Sequence, residues 1–149
     1  MLDWLKKNAN EARDRLANEV TKFKNREFME AVVAGCALVA AADGNISSDE
    51  KQKMIGYIQN SKELKVFNTK DVIQSFNDVC SNFDFDPAIG QAEALRTVGK
   101  LRNKQDAARL LVRVCCAIGA ADGDFDQSEQ AMCHTICNEL ALNPSEFDL

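Results

Sequence analysis

One acidic turn occurs twice in this chain, at a constant offset. Residues 36–50 read CALVAAADGNISSDE and residues 115–129 read CCAIGAADGDFDQSE. Across the offset of 79, Cys36/Cys115, Ala41/Ala120, Ala42/Ala121, Asp43/Asp122, Gly44/Gly123 and Glu50/Glu129 are identical. Each copy ends an apolar helical stretch at Asp-Gly and restarts a helix at Ser47 or Asp126, with Glu50 or Glu129 three residues on. An internal repeat of this kind predicts two related halves whose stacking buries one shared core.

The rest of the chain fits that frame. Between the acidic turns lies no alternation of period two, and apolar residues recur at helical spacing throughout. The sequence therefore predicts an all-α fold of about seven to eight helices in one domain, 1–149. Residues 1–26 form an amphipathic basic helix, 27–82 a first half and 83–149 a pseudo-symmetric second half. The segment from Glu27 to Ala42, apolar almost all round, reads as a central helix, and its partner runs from Ala107 to Asp122. Asn68 or Thr69 caps a further helix facing inward through Val72, Ile73, Phe76, Val79 and Cys80. Phe83-Asp84-Phe85-Asp86-Pro87 reads as a connector, Asp86 being an N-cap and Pro87 a first helical residue. Asn143-Pro144-Ser145-Glu146 echoes Asn68-Thr69-Lys70-Asp71 and starts a short terminal turn.

Charge narrows the function classes. The net charge is −5, yet residues 1–26 hold seven Lys/Arg against four Asp/Glu, so that the remainder carries −8. An acidic body argues against nucleic acid as principal ligand and suits cations or basic partners. The basic first helix offers a second possibility: Trp4, Lys6 and Lys7 are candidates for docking on anionic lipid or an acidic partner. Its plain counterpart is a helix that packs Leu16, Val20 and Phe23 on the body while the lysines face water. No apolar run is long enough to span a bilayer, and the N-terminus lacks a secretory signal's apolar core. The six cysteines, at 36, 80, 115, 116, 133 and 137, fit reduced, buried thiols better than a disulfide framework. Cys133, His134 and Cys137 do not make a zinc site, because His134 points about 100° away from Cys133 and no second histidine exists. No nucleophile is paired with a base, so an enzyme is not expected.

The acidic turns admit two readings. Aligned on an EF-hand loop, each copy supplies the fifth, sixth, eighth and twelfth positions. The first and third ligands fall on Val39 and Ala41, or on Ile118 and Ala120, which cannot ligate. Neither turn alone holds a cation. Together, Asp43, Glu50, Asp122 and Glu129 would form an oxygen-rich set suited to calcium, magnesium or manganese, with Asp124 and Asp126 adding charge. Alternatively, every one of these residues punctuates a helix: Asp-Gly stops one, and Ser/Asp-x-x-Glu is a capping box.

Beyond these turns the chain resembles the TerB family of tellurite-resistance proteins. The resemblance is carried by KQKMIG (51–56), ELKVF (63–67), FDFD (83–86) followed by Ile89-Gly90, both acidic turns and the C-terminal Pro144-x-Glu146-Phe147. It implies a small helical protein of two four-helix-like halves in the bacterial cytoplasm, close to the inner face of the membrane. It further implies divalent-metal binding, an adaptor role in the stress response and a TerC-like membrane partner. The family's acidic positions correspond to Asp43, Glu50, Asp122 and Glu129, with Asp84 and Asp86 as further candidates. Nothing in the resemblance assigns ligands to the cysteines, and thiol chemistry on tellurite at Cys115 and Cys116 has no support beyond the family name.

Overall fold

The computed structural model describes residues 2–44, 46–120 and 125–149. The described residues form eight α-helices and no strand: α1 (Asp3–Lys6), α2 (Ala9–Val20), α3 (Arg26–Ala40), α4 (Ser48–Asn60), α5 (Thr69–Phe85), α6 (Pro87–Gly99), α7 (Gln105–Gly119) and α8 (Gln127–Glu139). Short 3₁₀ turns cover Thr21–Phe23, Lys62–Leu64 and Pro144–Phe147.

Helices α3 and α7 make the centre, as their apolar sequences require. From Ala31 to Val39 every residue of α3 is buried, and α7 is buried from Val114 to Gly119. α3 packs on α5, α6, α7 and α8. Gly35 lets α7 come close: a Cβ there would lie 2.5 Å from Cys115 Sγ and 3.6 Å from Leu111. Further along, a Cβ on Gly119 would meet Val39 at 3.1 Å. Contacts thus ascend together along both helices, from Gly35 with Cys115 to Val39 with Gly119, so α3 and α7 run parallel. Cys36 and Cys115, equivalent in the repeat, lie beside each other at this seam, and the Cys115 thiol donates to the Val32 carbonyl at 4.0 Å.

Local signals set most of the helix ends. Asn25, Asn68 and Asp86 accept from the first-turn amides of α3, α5 and α6, and Asn143 does the same for the last 3₁₀ turn. Both capping boxes form. Such caps contribute about 0.5–2 kcal/mol each.

Two expectations need correction. Residues 83–86 are not a connector: α5 continues through Phe85, and Asp86 alone separates it from α6. Phe83 extends the buried face of Val72, Phe76 and Cys80 by one more helical step, so the helix gains a core contact by continuing. The corner then turns tightly because Gly90 has no side chain; a Cβ there would lie 2.6–2.7 Å from the ring and backbone of Phe83. Second, the basic N-terminal segment is two helices rather than one. The chain breaks at Asn8 (φ −157°, ψ 76°), whose side-chain Nδ2 donates to Glu11 Oε2 at 2.6 Å. The break lets α1 bury Leu5 and reach the C-terminus, where Trp4 Nε1 donates to the Phe147 carbonyl and the Asp3 amide to Asp148 Oδ2. Meanwhile α2 buries Leu16 and Val20.

The N-terminal helices are fastened by one buried charge. Glu63 is fully buried, and Arg13 of α2 donates to it through Nε at 2.8 Å, while Ser61 Oγ donates to its other oxygen. Burial raises the Glu63 pKa, but the hydrogen bonds from Arg13, Ser61 and its own amide, with the charge of Arg13, outweigh it and hold the carboxyl below its ordinary value.

Two predictions follow from packing and charge. Gly90→Ala forces Cβ onto the Phe83 backbone and should cost about 1–3 kcal/mol, measured by urea unfolding; unchanged stability would mean the corner is looser than described. Arg13→Ala strands a buried carboxylate and should cost about 3 kcal/mol. Because the native pKa of Glu63 is depressed, its contribution is complete above the ordinary value of 4.5 and is lost as pH falls through the native one. The stability difference between wild type and Glu63→Gln should therefore be flat at neutral pH and shrink only in acid.

Candidate metal centre

The two acidic turns start from the same end of the α3–α7 pair, because parallel helices finish side by side. After α3 the backbone turns through Ala41–Asp43, and Gly44, at φ +113°, donates its amide to the Ala41 carbonyl at 2.8 Å. That left-handed conformation is why glycine follows the aspartate. Ile46 then plugs inward, buried, before α4 begins. In the second copy Phe125 occupies the place of Ile46, partly buried against the core, with its ring near Gly119. Asp122 and Asp124 lie outside the described residues.

Between α3, α4, α7 and the start of α8 lies a cavity of about 170 Å³. Asp43, Glu50, Asp126 and Glu129 all line it, so acids from both copies of the repeat face one space. Asp126, which the sequence offered only as added charge, thus lines the cavity together with the repeated pair of glutamates. Lys53 and Tyr57 line it as well, with Met54 and Ser128. Sequence reading passed over Lys53 and Tyr57, yet their signal was present: positions 50, 53, 54 and 57 recur at the spacing of one helix face.

The caps share these acids. Glu50 Oε1 accepts from the Ser47 amide at 3.4 Å, and Ser47 Oγ accepts from the Glu50 amide at 3.2 Å. In the second copy Glu129 Oε1 accepts from the Asp126 amide at 3.3 Å, and Asp126 Oδ1 from the Glu129 amide at 2.8 Å. Capping engages one oxygen of the Glu50 carboxylate, which has two, so this capping glutamate can also serve as a ligand. Among the described residues, no three His, Cys, Asp or Glu side chains gather closely enough to hold a metal ion. Carboxylate oxygens are hard donors, of the kind that calcium, magnesium and manganese take.

The other candidates lie elsewhere. Asp84 pairs with Lys51 at 2.7 Å, and Asp86 caps α6; neither lines the cavity. The Asp84 hydrogen bond raises the pKa of Lys51, which favours the charged pair. Trp4 is half-buried with its indole tied to Phe147, while Lys6 and Lys7 are exposed. His134 is exposed and Cys133 buried, so they do not share a face.

All six cysteines are free and buried. Cys36, Cys115, Cys116 and Cys133 lie close enough to influence one another. Hydrogen bonding of its own S–H toward Cys36, with burial, pushes the Cys115 thiol well up, and bonding toward Cys116, with burial, does the same for Cys133. Burial lifts Cys80 to about 11 and Cys137 to about 12. Thiols held protonated in this way are poor nucleophiles.

The described fold and paired turns define a small all-helical protein built on an internal repeat, and no described helix is long and apolar enough to cross a membrane. The family model described as Tellurite resistance protein TerB matches residues 29–149. A Tellurium resistance protein TerB from Alcaligenes sp is 45% identical over 102 residues, covering 68% of this chain and 84% of the relative. No solved structure matches the chain. The chain belongs to the TerB family of tellurite-resistance proteins.

The cysteine environment gives a direct expectation. A colorimetric thiol titration at neutral pH should find almost no reactive thiol in the native protein, and six once it is unfolded. Rapid native reaction at Cys115 or Cys116 would contradict the packing of the α3–α7 seam.

Proposed function

We propose that this TerB-family chain is a non-enzymatic binding protein whose two acidic turns take up one divalent cation between them. The observation that carries the reading is the shared cavity, whose wall holds Asp43 and Glu50 from one copy and Asp126 and Glu129 from the other. Asp122 is the further ligand that the repeat supplies. Carboxylates brought to one space repel unless a cation, a proton or distance relieves them. Calcium, magnesium and manganese match oxygen donors, with turn carbonyls and water completing the shell. Lys53, facing the same cavity, is the built-in positive charge that a bound cation would displace.

In this reading the cation fastens α4 to α8 and stabilises the native state by mass action. The protein then works as a cytoplasmic adaptor in the tellurite and stress response. It presents its cation-loaded form to protein partners, including a TerC-like membrane protein at the inner face of the membrane. The family membership supports the response; the acidic body supports a basic partner. Peripheral contact with the membrane would be made through that partner, because Trp4 is engaged with Phe147.

Isothermal calorimetry with calcium, magnesium and manganese tests this. Wild type should bind at least one of them, and Asp43→Asn and Asp122→Asn should each weaken binding by about tenfold, roughly 1.4 kcal/mol. Lys53→Met should tighten it, since a competing charge leaves the cavity. Equal and negligible heats for all proteins would remove the cation and leave a metal-independent interaction module. Binding that survives both aspartate substitutions would place the site elsewhere.

A further inference from the structure

Seven of the eight phenylalanines are used by the fold. Phe28, Phe76, Phe83 and Phe147 are buried, and Phe23, Phe67 and Phe125 pack against the core. Phe85 is different: it is 82% exposed, and Ile89, four residues on, is 46% exposed. A single exposed apolar residue is ordinary, but this pair sits on a corner built to stay still. Asp86 caps α6 on one side of Pro87, and the contact of Gly90 with Phe83 locks the two helices together. An aromatic on a rigid corner loses little freedom when a partner covers it, and aromatics of this kind dominate binding energies.

The charge around the corner selects the partner. Residues 71–95, which make up nearly all of α5 and α6, contain five Asp/Glu and no Lys or Arg. Asp84 and Asp86 flank Phe85 directly, and Asp78 lies two turns earlier on α5. Lys51 reaches Asp84 from α4, and Arg96 reaches Glu93, but the rim stays acidic. An anionic lipid surface would be repelled here.

We infer that the α5–α6 corner is a docking surface for a cationic, amphipathic segment of a protein partner. One apolar side chain of that segment seats on Phe85 and Ile89, and its lysines or arginines face Asp78, Asp84 and Asp86. No residue of α5 or α6 lines the acidic cavity, so this surface stands or falls apart from cation binding.

The test uses the full chain and a fluorescent synthetic peptide of leucine and lysine with a helical apolar face, read by anisotropy. Wild type should bind it, more tightly at low salt. Phe85→Ser with Ile89→Ser should weaken binding by about tenfold or more, with an unchanged melting temperature because neither side chain is buried. Phe85→Trp should retain binding. A peptide of equal charge but scrambled apolar positions should bind correspondingly worse. Equal affinity for wild type and the double variant would mean that charge alone attracts the peptide, and would overturn the inference, as would failure of the peptide to bind. Self-association of the chain that disappears in the double variant would assign the corner to a second copy instead. Binding to anionic vesicles that depends on Phe85 would assign it to lipid. Either result rejects the cationic segment.

Discussion

Everything in this molecule hangs on the parallel contact of α3 with α7. Two almost wholly apolar helices can be buried only at the centre, and Gly35 and Gly119 set how near they come. Their parallel direction then has a geometric result that an antiparallel pair would not give: equivalent residues of the repeat stand opposite each other. Cys36 meets Cys115 across the seam, and the two acidic turns leave from one end. Without that contact Asp43 and Glu50 would have no reason to face Asp126 and Glu129.

The helices legible in the sequence were those announced by local chemistry. Ser47-x-x-Glu50 and Asp126-x-x-Glu129 read as capping boxes and are capping boxes, because the interaction is complete within four residues. The centrality of α3 and α7 followed from their composition. What escaped was decided by partners far along the chain. Phe83 belongs to a helix because Gly90 leaves room for it, and the N-terminal helix breaks at Asn8 because Trp4 has an acceptor at Phe147, 143 residues away. Nothing in the ELKVF segment signals that Glu63 is buried, since Arg13 lies fifty residues earlier.

At the cavity the split runs along the same line. The repeat pointed to Asp43, Glu50, Asp122 and Glu129; Asp43, Glu50 and Glu129 line one space, and Asp122 lies outside the described residues. Asp126 seemed an accessory and stands among them, because a helix cap at the mouth of a cavity faces both ways. Lys53 and Tyr57 belong to a helix face that a search confined to acidic residues does not see. The protein's own positive charge at an acidic site is as much a part of its electrostatics as the carboxylates are.

The capping glutamates give the cavity a mechanical link to the helices around it. Glu50 holds the first turn of α4 and Glu129 the first turn of α8, while both face the same space. Because cap and cavity share a side chain, the start of each helix fixes where its carboxylate stands in the cavity wall. The same two side chains thus set where α4 and α8 begin and give the cavity much of its negative charge.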